Sequence, residues 1–458
     1  MKLRYRLLWL VALIAAYWLV THPRDNTGGT PGEDEETTSD TTVVVQMLHS
    51  SESRAFLEEA ARVFKDRRPE IVLQFTSMGS IESIEAIAAH RIDPLVWSPS
   101  DSLDLNLLQD RLRSTNAAKA AELKASAVTA DDLSKANVVL AEDQSKQVYS
   151  TEGGGAPQPV LLSPLVWLGW ERQTQGLQKL QRERRPNQPD LLSWSVVYEL
   201  LTGRETGWNS SLNGTKSHAL SPLRVGYADP LRSSSGIQAL YLLTLEYFGS
   251  ARSPSTAQLN DAGYRQVLKE VNAEAISSGL TTNRLLEDML RYGPSKFDVI
   301  LTYESLALEA IRTFPESRWG KLKIFYPTYT MWNDHPVVQM ATRPWNAEEM
   351  SAAREWIAFL RSREMQEKAL AHGFRPGDPR IAMVPEPKSP LESLIQDGLR
   401  LDVPTTAVIN NRQLAPLLDL WIQEAAAGEP LQIVGPWSGP LNSPAARPPA
   451  ESAPHPTR

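Results

Sequence analysis

The sequence predicts an α/β protein of two lobes, the first of them assembled from two separated stretches of chain. Three observations carry this reading. Short β-branched runs alternate with segments of helical apolar spacing, the signature of βαβ units, and a second such set follows further along. Between the two sets lies a near-continuous apolar stretch, residues 159–170 (PVLLSPLVWLGW), long enough to pass from one lobe to the other. Residues 323–331 and 335–340 then read as the crossing back.

Taken in order, residues 43–48 (VVVQML) form the first strand. After Ser50 and Ser51, which can cap a helix, the pattern Phe56, Leu57, Ala60, Ala61, Val63, Phe64 marks one. Residues 71–75 are the second strand, and the intervening helix makes the pair parallel with a right-handed crossover. Gly79 and Ser80 open a helix with Ile81, Ile84, Ile87 and Ala88 inward, leading to a third strand over 95–97. Residues 101–158 are polar and helical in their first half. In the second set, residues 223–227 are a strand, Ile237, Leu240, Tyr241, Thr244, Leu245 and Phe248 share a helix face, and 297–301 form a buried strand. Ala353, Trp356, Ile357 and Leu360 predict a long helix stopped by Gly373. The resulting division is residues 43–162 and 328–395 for lobe 1 and 163–327 for lobe 2. Residues 396–435 form a C-terminal helical extension whose Leu414, Leu417, Leu418, Leu420 and Trp421 are expected to pack on lobe 1, or else to serve as a docking face.

The two ends are expected to lie outside the fold. Lys2, Arg4 and Arg6 precede an uncharged stretch over 7–20, the layout of an export signal. Its length suits a cleaved signal peptide; its closing Tyr17-Trp18-Leu19-Val20, with no small-residue cleavage site, suits a membrane anchor. Residues 1–21 are thus a signal peptide or anchor. Residues 22–42, acidic and without a large apolar side chain, are a disordered linker, and the proline- and alanine-rich residues 436–458 a disordered tail.

Composition narrows the chemistry. With 47 Lys+Arg against 54 Asp+Glu the net charge is -7, so no bulk cationic field exists to hold a nucleic acid. The absence of cysteine removes disulfides, thiolate nucleophiles and cysteine-ligated metals. No H-E-x-x-H, Walker A, G-x-G-x-x-G or G-x-S-x-G occurs, and the seven histidines are scattered without an i, i+4 pair. Neither an enzyme, a metal site nor a cofactor is expected. What recurs is small hydroxyl residues where strands give way to helices: Ser50-Ser51, Ser77 to Ser80, Ser98 to Ser100, Ser233 to Ser235, and Thr302-Tyr303. Ligands of open α/β sheets sit at the carboxyl ends of strands, where helix starts offer free N–H groups. A shared binding cleft is expected, with Ser98, Ser163 and Ser234 assigned to it by position.

The run LHSSESRAFLEEAARVFKDRRPEIVLQFTSMGSIESIEAIAAHRIDPLVWSPSD resembles the start of bacterial extracellular solute-binding proteins of the two-lobed periplasmic-binding-protein fold, type II-like. DPLRSSSGIQALYLL, SKFDVILTYESLALEAI, FYPTYTMWNDHPVVQM and AREWIAFLRSREMQEKALAHGFRP resemble later landmarks of the family in the same order, over residues 43 to 376. Within it the chain is most similar to the solute-binding part of proteins fused to von Willebrand factor type A domains. It is also similar to molybdate-binding proteins, which implies an oxyanion held by Ser51, Ser80, Ser235 and Tyr303. Glu52, Asp229 and Glu304 flank these loops, with Arg54 and Arg232 the nearby cations; if the acids point inward, a cation, sugar or peptide is preferred. The resemblance implies an extracytoplasmic receptor, tethered to the inner membrane or secreted to the periplasm, that closes on a small solute and presents it to an ABC-type permease. The alternative is a membrane-tethered interaction or sensing scaffold that kept the fold without transport.

Overall fold

The computed structural model describes residues 42–126, 129, 147–150, 157–204, 222–277, 279–315, 317–403 and 411–426. The expected signal peptide or anchor, the acidic linker up to residue 41, and the tail from 436 lie outside the described residues. Among the described residues no helix is long and apolar enough to cross a membrane.

The strands are β1 (Val43–His49), β2 (Ile71–Ser77), β3 (Val96–Ser98), β4 (Tyr149–Ser150), β5 (Leu161–Trp170), β6 (Val225–Gly226), β7 (Val299–Tyr303), β8 (Leu322–Phe325), β9 (Trp332–Asn333), β10 (Val338–Met340) and β11 (Arg375–Pro376). They form two sheets. The first runs β2-β1-β3-β10-β4, with β1 parallel to both neighbours and β10 antiparallel to both of its own. The second runs β11-β5-β7-β6, with β8 and β9 also pairing with β5. β5 is antiparallel to every partner, while β6 and β7 are parallel.

Strand periodicity explains how the first sheet is covered. Along β1, Val45 and Met47 face one side and pack with Phe56 and Phe64 of the helix Arg54–Arg67 and with Trp356, whose indole N–H meets the Met47 sulfur at 3.1 Å. Leu48 faces the other side, against Ile84, Ile87 and Trp97. The apolar run that the sequence sets between lobes is β5, and the core changes along it: Val160 and Leu161 join the first sheet's cluster, whereas Leu165 to Leu168 belong to the second.

Two expectations are corrected. The long helix before Gly373 is two helices, Ala347–Leu360 and Arg363–Ala371, because the Ser362 hydroxyl accepts from the Met365 N–H and restarts the helix. The C-terminal helix Asn411–Ala426 packs chiefly on the second sheet's helices, and touches lobe 1 only along the helix Ser102–Ser126. Leu414, Leu417, Leu420 and Trp421 are buried in the cluster that holds Tyr264, Val267 and Leu268 of the helix Ala262–Glu274, and Glu424 pairs with Arg265 at 2.5 Å. Leu418 is only partly buried. Residues 404–410 and 427–435 of the extension lie outside the described residues. Trp421→Ala should therefore cost about 3–5 kcal/mol of stability, read from the urea midpoint; a loss under about 1 kcal/mol would contradict this packing.

Candidate functional site

The carboxyl ends of β1, β3 and β7 meet the starts of several helices between the two sheets, and the predicted residues distribute among them unequally. β1 ends at His49; a single 3-10 turn (Ser51–Ser53) then leads into the helix Arg54–Arg67. Ser51 is half-buried, and its carbonyl accepts from Asn283 Nδ2 at 2.9 Å, across from the first sheet to the helix Thr282–Tyr292. Ser98 closes β3, is buried, and accepts the Ser50 N–H on its carbonyl at 2.9 Å. Ser80 opens the helix Ser80–Ala88; its hydroxyl lies 2.9 Å from that of Ser100 and accepts the Ser100 N–H at 3.0 Å. Ser234 opens the helix Ser234–Tyr247 and donates to Asp104 Oδ1 at 2.5 Å, a bond from the second sheet's side to the first. Tyr303 ends β7, fully buried, with no hydrogen-bond partner on its hydroxyl.

Ser163 and Ser235 are engaged locally. The Ser163 hydroxyl accepts the Ser305 N–H at 3.1 Å and donates to Ser305 Oγ, securing the start of the helix Glu304–Thr313. The Ser235 hydroxyl lies 2.7 Å from Thr282 Oγ1 and 3.0 Å from Ser233 Oγ. Gly236 beside it lets the chain turn back on itself: a Cβ there would meet the Ala228 carbonyl oxygen at 2.3 Å.

The site's charge comes from residues that sequence reasoning missed. Ser100-Asp101-Ser102-Leu103-Asp104 opens the helix Ser102–Ser126. Asp101 Oδ1 accepts the Leu103 N–H at 2.7 Å and Asp104 Oδ2 accepts the Asp101 N–H at 3.2 Å, a reciprocal capping arrangement built from two acids. Asp334 adds a third at the same helix start, taking the Ser102 N–H at 2.7 Å and the Ser102 hydroxyl. The spacing of Asp101 and Asp104 was the signal available in the sequence; nothing local announced Asp334.

Burial sets the protonation of these groups. Asp104 is fully buried, which pushes its carboxyl up to about 6 against the hydroxyls of Ser234, Ser100 and Ser80 and the Asp101 N–H, which pull it down. Asp101 is pushed well above the carboxylate range by burial, and then by the charges of Asp334 and Asp104. Glu52, in the turn after β1, is pushed up to about 7 by burial, with Asp104 adding repulsion, and its Oε1 has no hydrogen-bond partner. His335 Nδ1 lies 3.7 Å from that oxygen; burial drives the imidazole down to about 3, so it is neutral, and neither ring nitrogen has a partner. The His335 backbone holds φ at +36, a strained conformation of the kind that concentrates at functional sites. Its ring sits edge-on to Tyr303 with centroids 5.8 Å apart.

The flanking charges resolve as follows. Of the three acids that flank the loops, only Glu52 faces this cluster with a carboxylate oxygen, Oε1, left without a partner, while its own N–H and the Ser50 and Ser51 side chains offset part of its burial. Glu304 takes two bonds from Arg375 at 2.7 Å each, and Asp229 accepts from the Leu231 and Gly279 N–H groups. Arg54 pairs with Glu58 and Arg232 with Glu82 at the surface. Among the described residues no Lys or Arg forms an ion pair with Glu52, Asp101, Asp104 or Asp334, and no group of three or more His, Asp or Glu is placed to hold a metal ion.

Solved structures share this fold. The periplasmic binding protein AfuA from Actinobacillus pleuropneumoniae, with exogenous fructose-6-phosphate bound, matches at 14% identity and a TM-score of 0.52, over 84% of this chain and 99% of that one. Maltose-bound MalE3 of T. maritima matches at 13% identity and a TM-score of 0.50, over 84% and 94%. No curated protein sequence matches the chain. Residues 45–375, well over half the chain, match the sequence model described as bacterial extracellular solute-binding protein, and the chain belongs to that family.

Proposed function

We propose that this chain is the solute receptor of an ABC-type importer, working on the outer side of a bacterial cytoplasmic membrane, and that it binds a small solute between its two sheets and presents it to a permease. The observation that supports this most is the group of buried polar atoms without partners at one point between the sheets: Glu52 Oε1, the Tyr303 hydroxyl and both His335 ring nitrogens. Each such atom costs roughly 1–3 kcal/mol when left unsatisfied. A solute that fills their hydrogen bonds removes that cost only while the lobes are closed, and this difference is what drives closure. The crossings near Ser163 and Thr328 are the natural hinges, and a permease would read the closed form.

The oxyanion implied by the family resemblance fits this cleft poorly. The helix start that would receive it already carries Asp101, Asp104 and Asp334, and among the described residues no Lys or Arg forms an ion pair with them. A second reading, an interaction scaffold without a solute, draws on the Ser234 to Asp104 bond, since here the protein's own carboxylate bridges the two sides. Native mass spectrometry and a thermal-shift screen of the full chain over ions, sugars and amines separate the readings. A solute at a hundred times its Kd should stabilise the receptor by about 2.7 kcal/mol; no bound mass and no shift favours the scaffold.

Closure can be tested without knowing the solute. A Cβ on Gly79 would lie 2.4 Å from the Arg232 carbonyl oxygen on the opposite side of the cleft. Gly79→Val should therefore hold the lobes apart, giving a larger radius of gyration in solution scattering with each lobe intact; an unchanged radius would contradict the closed geometry.

The buried carboxyls also predict a pH dependence. Glu52 and Asp104 titrate higher when folded than their ordinary values of 4.5 and 3.8, so they favour the folded, closed state while protonated, and this contribution disappears as pH rises through 6 to 7. Taken alone, a carboxyl moved from 4.5 to about 7 makes the fold roughly 3 kcal/mol less stable at pH 8 than at pH 4. Glu52→Gln should flatten the decline in Tm between pH 5 and pH 8 relative to the parent; parallel Tm profiles would sink this assignment.

A further inference from the structure

We propose that the solute is an organic cation carrying an ammonium group, with Glu52 as its counter-charge and Tyr303 and His335 as neutral partners. This rests on the receptor reading above and gives it a substrate class.

The first ground is charge. Asp101 and Asp104 cap the helix Ser102–Ser126 together with Asp334, and Glu52 lies close enough to Asp104 to be repelled by it. The cations nearest the loops in sequence, Arg54 and Arg232, are committed to surface acids, and the buried Arg375 is matched by Glu304. Among the described residues the cleft thus has carboxyls in excess and no Lys or Arg paired with them.

The second ground is independent of the first and concerns vacant hydrogen-bonding atoms. Glu52 is 6% exposed and Tyr303 and His335 are 0% exposed, yet Glu52 Oε1, the Tyr303 hydroxyl and both imidazole nitrogens have no partner. A carboxylate oxygen, a phenol oxygen and a neutral imidazole can all accept, and an ammonium group is all donors. The Tyr303 ring adds an aromatic face to which an alkylated cation is attracted.

The third ground excludes the neighbouring classes. At the start of the helix Ser102–Ser126 the donors are already taken: the Ser234 and Ser100 hydroxyl protons go to Asp104, and the Leu103, Asp101 and Ser102 N–H groups go to Asp101, Asp104 and Asp334. The donors left over, the Tyr303, Ser50 and imidazole protons, sit beside Glu52, whose charge an oxyanion would meet. A bare metal ion needs ligands clustered around one point, which the described residues do not provide. An organic ammonium needs only one carboxylate with acceptors spread around it.

Calorimetric titration of the full chain at pH 8 with putrescine, spermidine and choline, in parallel with molybdate, sulfate and maltose, tests this. At least one amine should bind, and its affinity should fall at least tenfold at pH 5.5, where Glu52 carries a proton. Glu52→Gln should weaken that amine at least tenfold without lowering the amine-free Tm. Tyr303→Phe, which removes a hydroxyl whose only protein neighbour is the Ser100 side chain, should weaken it several-fold with the fold intact. Binding of an oxyanion or sugar with all amines inert would overturn the cation while leaving the receptor standing. Amine binding unaffected by both substitutions would overturn the assigned residues, and silence across all six probes would count against both readings.

Discussion

The contact on which this structure turns is the buried Asp104 carboxylate and its hydrogen bond from Ser234. Asp104 lies in the first turn of the helix Ser102–Ser126, Ser234 is the first residue of the helix Ser234–Tyr247, and Ser80, the first of the helix Ser80–Ala88, reaches the same group through Ser100. Three helix starts therefore converge on one carboxyl. Each contributes a positive dipole end and hydroxyl or N–H donors, which is the physics by which such folds hold an anion. Here the anion is part of the chain. Burial alone would neutralise it; the donors hold its pKa near 6, so the two effects nearly cancel around neutral pH.

That balance depends on a stiff frame. β5 supplies it by running through both cores and pairing with β7, β8, β9 and β11. Its tryptophans are locked by hydrogen bonds, Trp167 to the Leu192 carbonyl and Trp170 to the Phe297 carbonyl, each at 3.1 Å, and the Thr330 hydroxyl donates to the Leu165 carbonyl from the returning segment. At the other end of β7, Glu304 is fixed by Arg375 and by the Tyr326 hydroxyl. A buried pair of this kind contributes little net stability but is costly to break from one side, so it holds the strand end bearing Tyr303 in register.

Much of this was legible in the sequence, and the misses share a cause. The strands β1, β2 and β7 and the helices after them follow from periodicity, which is local. The hydroxyl loops were correctly placed at helix starts, because a serine there is visible in sequence. What could not be read was the direction of each hydrogen bond. Ser163 and Ser235 look like Ser80 and Ser234 in the chain, yet their partners, Ser305 and Thr282, are 142 and 47 residues away. His335 and Asp334 reach the cluster only through the return crossing, and no spacing rule links them to residue 52 or 101. The C-terminal helix showed its apolar face plainly, but which lobe it covers depends on the helix Ala262–Glu274, remote in sequence.

A serine at a helix start is chemically ambivalent, and Asp104 removes the ambivalence. A hydroxyl has one proton and two lone pairs. With a helix start open to solvent, the proton is free to turn toward an incoming oxyanion. With Asp104 in place, the Ser234 proton points at Oδ1 and the Ser100 proton at Oδ2, and what these hydroxyls present to a third party is lone pairs. The Ser234 and Ser100 hydroxyls are thus converted, by one acid in the first turn of a neighbouring helix, into acceptors. The direction in which the Ser234 and Ser100 hydroxyls point is fixed by the residue at position 104 rather than by the number of hydroxyls around it.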